Sequence, residues 1–144
     1  ARALTVTQVA AAAGALTWVL IEALAHGKPT SLGLASGILA GLVAITPAAG
    51  VVGVTGALAL GAIAAVGCYF VITLKGKLGY DDTIDAFGVH GAGGIIGALA
   101  LVFFIRDSWA KPEGWTMGGQ LLIQLKAVGA TVLFAAVMTL LIGW

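Results

Sequence analysis

Four ionisable side chains stand inside otherwise apolar runs: Glu22, Asp85, His90 and Lys126. His90 is the most demanding of them. It lies in DAFGVHGAGGIIG, residues 85–97, about two turns into an apolar stretch, too deep for a short side chain to reach water across lipid. Ionisable groups within a membrane usually face a bundle interior or a substrate pathway, which makes His90 a candidate pathway group. The competing account is a core histidine hydrogen-bonded to a backbone carbonyl. A neutral imidazole carries one donor and one acceptor nitrogen, so it can hydrogen-bond a small polar molecule without bearing charge, or move a proton. No His, Cys or carboxylate follows it at i+3 or i+4, so nothing indicates a metal site. No nucleophile–base pair is visible, so an enzyme is not indicated. Gly88, Gly91, Gly93 and Gly94 resemble a phosphate loop only superficially, because no strand precedes them and no water-exposed helix start follows.

The other three have simpler readings. Asp85 follows Asp81, Asp82 and Thr83, where acidic side chains cap free amides and complement the positive end of a helix dipole. There it would also set the angle at which the helix enters, and so the direction of His90. Glu22 is one turn from a helix end, near His26 and Lys28, and Lys126 is close enough to an end to snorkel.

The elements that position these groups must be membrane helices. The chain has 144 residues, 60% hydrophobic and 9% charged, with a mean hydropathy of +1.10, whereas a soluble domain carries about 25% charged residues. The net charge is +1 with both signs scattered, which leaves no footprint for nucleic acid. Cys68 is the single cysteine, which excludes an internal disulfide and a thiolate metal cluster. The N-terminus lacks both an initiator Met and a signal-peptide pattern, and reads as the middle of a longer protein.

A span needs about 20 mostly apolar residues. Five segments are expected: about 4–25, 32–45, 51–74, 84–105 and 119–143, separated by HGKPTS, TPAAG, KGKLGYDDT and RDSWAKPEGWTMGG. The apolar runs are continuous rather than alternating, so a β-barrel is a poor match. The fold class is an all-α integral membrane protein in one domain of five spans, with the bilayer as its first partner. Glycines at four-residue spacing, Gly33, Gly37 and Gly41, then Gly93 and Gly97, predict close helix crossings. Lys28, Lys75 and Lys77 on one side balance Arg2, Arg106 and Lys111 on the other, so charge does not settle orientation.

Three stretches carry a resemblance. GKPTSLGLASGILAGLVAITPAAG (27–50), LGYDDTIDAFGVHGAGGIIG (78–97) and TMGGQLLIQL (116–125) resemble, in order and in spacing, signatures of the ammonium transporter family, the Amt/Mep/Rh channels, with GVHGAGGIIG similar to the Amt branch. The resemblance implies a part of an eleven-helix fold, the seventh to eleventh helices. It also implies multi-pass insertion in the plasma or inner membrane, and assembly as a homotrimer with one pore per subunit. The remaining N-terminal half would supply the first pore histidine, and a cytoplasmic regulatory protein is a further expected partner. HGKPTS and KGKLGYDDT would then be cytoplasmic. On this likeness His90 is the second pore histidine, Ala86 an apolar pore wall, and Thr46 part of the outer entrance. Asp85, Gly88, Gly91 and Gly94 would support the site. The implied activity is ammonium/ammonia transport without a cofactor. The alternatives are an ammonium-sensing membrane module and a fragment without transport of its own.

Overall fold

The computed structural model describes residues 1–79, 82–106 and 111–143; Asp81 and 107–110 lie outside that set. It divides into two units, Ala1–Lys111 and Pro112–Trp144.

The first unit is built from three long or medium helices and one interrupted helix. Helix α1 (Arg2–His26) is rich in alanine and ends where Gly27 adopts φ 74° and returns its amide to the Ala23 carbonyl at 3.0 Å, a left-handed stop that glycine tolerates without a Cβ penalty. It is patterned in the reverse of a soluble helix. Its inward face is mostly small, Ala10, Ala11, Ala13, Gly14 and Ala15 between Val6 and Trp18, while Leu4, Leu16, Leu20 and Leu24 point outward. In lipid, leucine gains nothing by turning inward, and small residues let backbones approach.

Helix α2 (Ser31–Ile45) and helix α3 (Val54–Leu78) pack on that small face. Ala10, fully buried, is the point where the three meet. A Cβ on Gly41 of α2 would stand 2.8 Å from the Ala10 carbonyl carbon, and one on Gly61 of α3 would stand 3.0 Å from its Cα, each closer still to its oxygen. The spaced glycines of α2 therefore meet α1: Gly37 faces Trp18 and Gly14, and Gly41 faces Ala10 and Ala11.

A polar tie fixes the α1–α2 turn. Thr30 caps α2 by accepting from the Gly33 amide at 2.8 Å, while its own amide donates to Glu22 at 2.7 Å. Trp18 Nε1 donates to the same carboxylate at 3.2 Å. Glu22 thus joins the two helices through Thr30 and Trp18, not through His26, whose Nε2 lies 3.0 Å from the Tyr69 hydroxyl of α3. Removing a cap or a charge-assisted acceptor costs about 1–2 kcal/mol. Glu22→Ala is therefore expected to lower the thermal midpoint in detergent by several degrees, more than Thr30→Ser does, in a fluorescence-detected melting experiment.

At the opposite end, the TPAAG segment turns tightly, and Val52 forms an isolated antiparallel bridge with Ile105, with the Arg106 amide donating to the Val51 carbonyl at 3.1 Å. The segment expected as a single helix over 84–105 is not uniform. It comprises a π-helical turn, Phe87–Gly91, then helix α4 (Ala92–Ala100), then a 3₁₀ turn, Leu101–Phe103. Helix α4 packs on α2 and α3. Gly97 lies against Ala44 so closely that a Cβ there would be 2.6 Å from the Ala44 Cα.

The second unit is one helix, α5 (Met117–Ile142), started by Thr116, whose hydroxyl accepts from the Gly119 amide at 3.2 Å. Helices α1, α3 and α5 are long and apolar enough to cross a membrane; Ser31–Ile45 and Phe87–Phe103 are shorter apolar segments.

Candidate functional site

The turn that carries His90 is set up by the residues before it. Asp82, rather than Asp85, is the cap. Its carboxylate accepts from three successive amides, Ala86 at 2.9 Å, Phe87 at 3.1 Å and Gly88 at 3.2 Å. Those amides have no partner in the preceding turn, and a carboxylate also complements the dipole there. Asp85 has a different place. Its backbone adopts φ 54°, among the described residues the one non-glycine with positive φ, and its carboxylate pairs with the Lys75 ammonium near the end of α3.

From Asp85 the chain enters the π turn. Such turns insert one residue into a helix and recur at functional sites. Here the inserted residue divides the turn into two faces. Gly88 and Val89 are buried, and a Cβ on Gly88 would press on Ile72 at 2.5 Å. Ala86, Phe87 and His90 are exposed. Gly91 makes room for the Phe87 ring, whose Cδ2 would stand 2.7 Å from a Cβ there. Behind the turn, the Cys68 thiol of α3 lies 3.7 Å from the Val89 carbonyl, within range of a weak S–H donor, and Cys68 and Val43 both stand 3.3 Å from where a Gly93 Cβ would be. The glycines thus let α4 sit down on α2 and α3, and the side chain left facing away is His90.

Among the described residues no carbonyl or side chain hydrogen-bonds the His90 ring. A core histidine satisfied by a backbone carbonyl is therefore not what these residues build. Ala86 shares the exposed side of the turn with His90, four residues earlier. A Cβ on Gly94 would meet Val43 at 4.0 Å, an ordinary contact. Thr46 is elsewhere. It is exposed, donates its hydroxyl to Leu42 at 2.8 Å, and stands two residues beyond Ala44, which packs at the level of Gly97, almost two turns past His90. It belongs to the end of the bundle opposite the Lys75–Asp85 pair. The sequence pattern missed Lys75 and Asp82 as supports of this turn; the available signal was an acidic residue four positions before the helical stretch at Ala86 and a lysine one short loop away. Among the described residues, no group of three His, Cys, Asp or Glu side chains could hold a metal.

An all-α chain with leucine-covered helices, backbone crossings made by glycine and alanine, and helices long and apolar enough to cross a membrane defines a membrane protein. Its relatives make the class specific. The chain belongs to the ammonium transporter family: the model of the Ammonium Transporter Family matches residues 1–144. It is 48% identical over 139 residues to an ammonium transporter of Aquifex aeolicus (strain VF5), covering 94% of this chain and 33% of the relative. The crystal structure of Saccharomyces cerevisiae Mep2 superposes with a TM-score of 0.82 at 35% identity, over 96% of this chain and 34% of that one. A solved sensor Amt protein is similar at a TM-score of 0.81 and 28% identity, over 96% of this chain and 36% of its own. The chain spans about a third of the length of these proteins.

Proposed function

We propose that this chain builds one wall of an ammonium/ammonia path across the plasma or inner membrane, within a homotrimeric channel, and that His90 is the hydrogen-bonding station on that wall. The observation that carries this is the exposure of His90, without an internal partner among the described residues, on a turn whose other face is packed against α2 and α3. The surface that exposes it would be covered by the N-terminal half of the transporter.

Ammonium is a full charge, and moving it unpaired into a medium of low dielectric constant costs tens of kcal/mol in an unrelaxed Born estimate, roughly. Ammonia avoids most of that cost. An apolar wall with one neutral imidazole therefore passes ammonia, hydrogen-bonded in turn, after its proton is left behind or routed separately. A potassium ion has no proton to lose and is refused. Ala86 keeps the wall beside the ring apolar, and Thr46 would act at the outer mouth. Asp85, Gly88, Gly91 and Gly94 hold the turn. The test is uptake of methylammonium and ammonium-driven current by the full-length protein with His90→Ala: loss of flux supports the assignment, and unchanged flux with unchanged exclusion of potassium removes it.

The likeness to a sensor Amt protein supports a second reading, an ammonium-responsive module that signals to a cytoplasmic partner. A sensor would retain ammonium binding and a conformational response while showing no flux in the same assay.

A further inference from the structure

Lys75 does more than close a helix. Near the C-terminal end of α3 it complements the dipole, as a basic residue in a last turn should, but its ammonium reaches forward across the loop. It donates to the Asp82 carbonyl at 2.7 Å and pairs with the Asp85 carboxylate, and the two side chains are only 18% and 25% exposed. Both partners belong to the entrance of the His90 turn. Asp85 is the residue in the left-handed region, a conformation that persists only where its surroundings hold it. Its carbonyl accepts the amide of Val89, the residue before His90, at 2.8 Å. The path from Lys75 Nζ to the His90 backbone is therefore one ion pair, one constrained residue and one main-chain hydrogen bond.

We infer that Lys75 is a positioning residue for His90: by clasping Asp85 and the Asp82 carbonyl from α3, it holds the register of the π turn that aims the imidazole along the exposed wall. The physical consequence is a rotation. If Asp85 relaxes to negative φ and the inserted residue is absorbed, the turn reverts to α-helical register. A one-residue change of register swings a side chain by about 100° around the helix axis. The direction of His90 relative to the packed face of α4 would then change.

This rests on the assignment of His90 proposed above, and the test separates the two. In the full-length transporter, ammonium-driven current, the ratio of potassium to ammonium current, and monodispersity in detergent are measured for Lys75→Met, Lys75→Arg, His90→Ala and Lys75→Met/His90→Ala. The expected result is that Lys75→Met assembles normally, loses flux by about tenfold, the size of a usual coupling between neighbouring residues, and admits more potassium. Lys75→Arg, which keeps the charge and the donors, restores both. The double variant is no worse than His90→Ala, because Lys75 acts through the ring. Three outcomes overturn the inference: wild-type flux in Lys75→Met, an effect of Lys75→Met that adds in full to that of His90→Ala, or failure of Lys75→Met to assemble while Lys75→Arg assembles, which would assign Lys75 to folding alone. If instead His90→Ala leaves flux and selectivity unchanged, the station itself is wrong, whatever Lys75 does.

Discussion

Replacing Gly41 with leucine is expected to remove the protein from the folded, monodisperse pool in detergent, whereas the same replacement at Gly76 leaves it there. The contrast is geometric. A Cβ at Gly41 would fall 2.8 Å from the Ala10 carbonyl carbon and 3.0 Å from the Ala11 Cα, and those are backbone atoms of a helix whose Ala10 is also met closely by Gly61 of α3. Nothing lies within 4 Å of the corresponding position at Gly76. Over-packing a tight contact costs about 1–3 kcal/mol when neighbours can yield. Here the neighbour is main chain at a three-helix junction, so the cost of an isobutyl group exceeds that range, and the helices must separate instead. Lipid offers no compensating drive to keep them together, since association in a bilayer depends on this close packing. Size-exclusion profiles of the two variants decide the matter: a Gly41→Leu protein that elutes and melts like the parent would show that α1 and α2 do not cross at Ala10.

The second large effect is expected at His90. A hydrogen bond contributes about 1 kcal/mol net in water and more where water is excluded, so removing a station that replaces ammonia's hydration should slow permeation about tenfold or more. It should also weaken the distinction between ammonium and potassium. A carboxylate at the same place has the opposite electrostatic sense. His90→Glu presents a negative charge to the path and is expected to admit potassium more readily than His90→Ala does, because an anion offsets part of a cation's desolvation.

Much of this fold is legible in the residues, and the limits of that legibility have physical causes. Hydropathy and the low charge content identify an all-α membrane protein because lipid forbids unsatisfied backbone. The four-residue spacing of glycines in α2 announces a close crossing. It does not announce the partner: that Gly37 meets Trp18 and Gly14, and that Gly97 meets Ala44 and not α3, depends on the tertiary arrangement. The π turn is hidden for a different reason. A pattern read at 3.6 residues per turn has no signal for one inserted residue in a glycine-rich stretch, where side chains that would mark the faces are missing. Hence the expectation of one helix from 84 to 105, and hence the cap placed at Asp85 when Asp82 accepts the amides. Lys75 read as one of three loop lysines in a charge count. Its ion pair with Asp85 depends on α3 and the loop after it bringing the two side chains together. His90 is conspicuous in the sequence because an imidazole is costly in lipid, while Thr46, named through family likeness for the outer entrance, lies at the end of the bundle opposite the Lys75–Asp85 pair.

The central claim is that His90 is the point on this wall where a neutral, deprotonated substrate is held. The most direct measurement is the ratio of potassium-driven to ammonium-driven current through the purified full-length protein in proteoliposomes, compared between the parent and His90→Glu. A ratio near zero in the parent that rises clearly in His90→Glu is the predicted result. An unchanged ratio, with unchanged ammonium current, would contradict it.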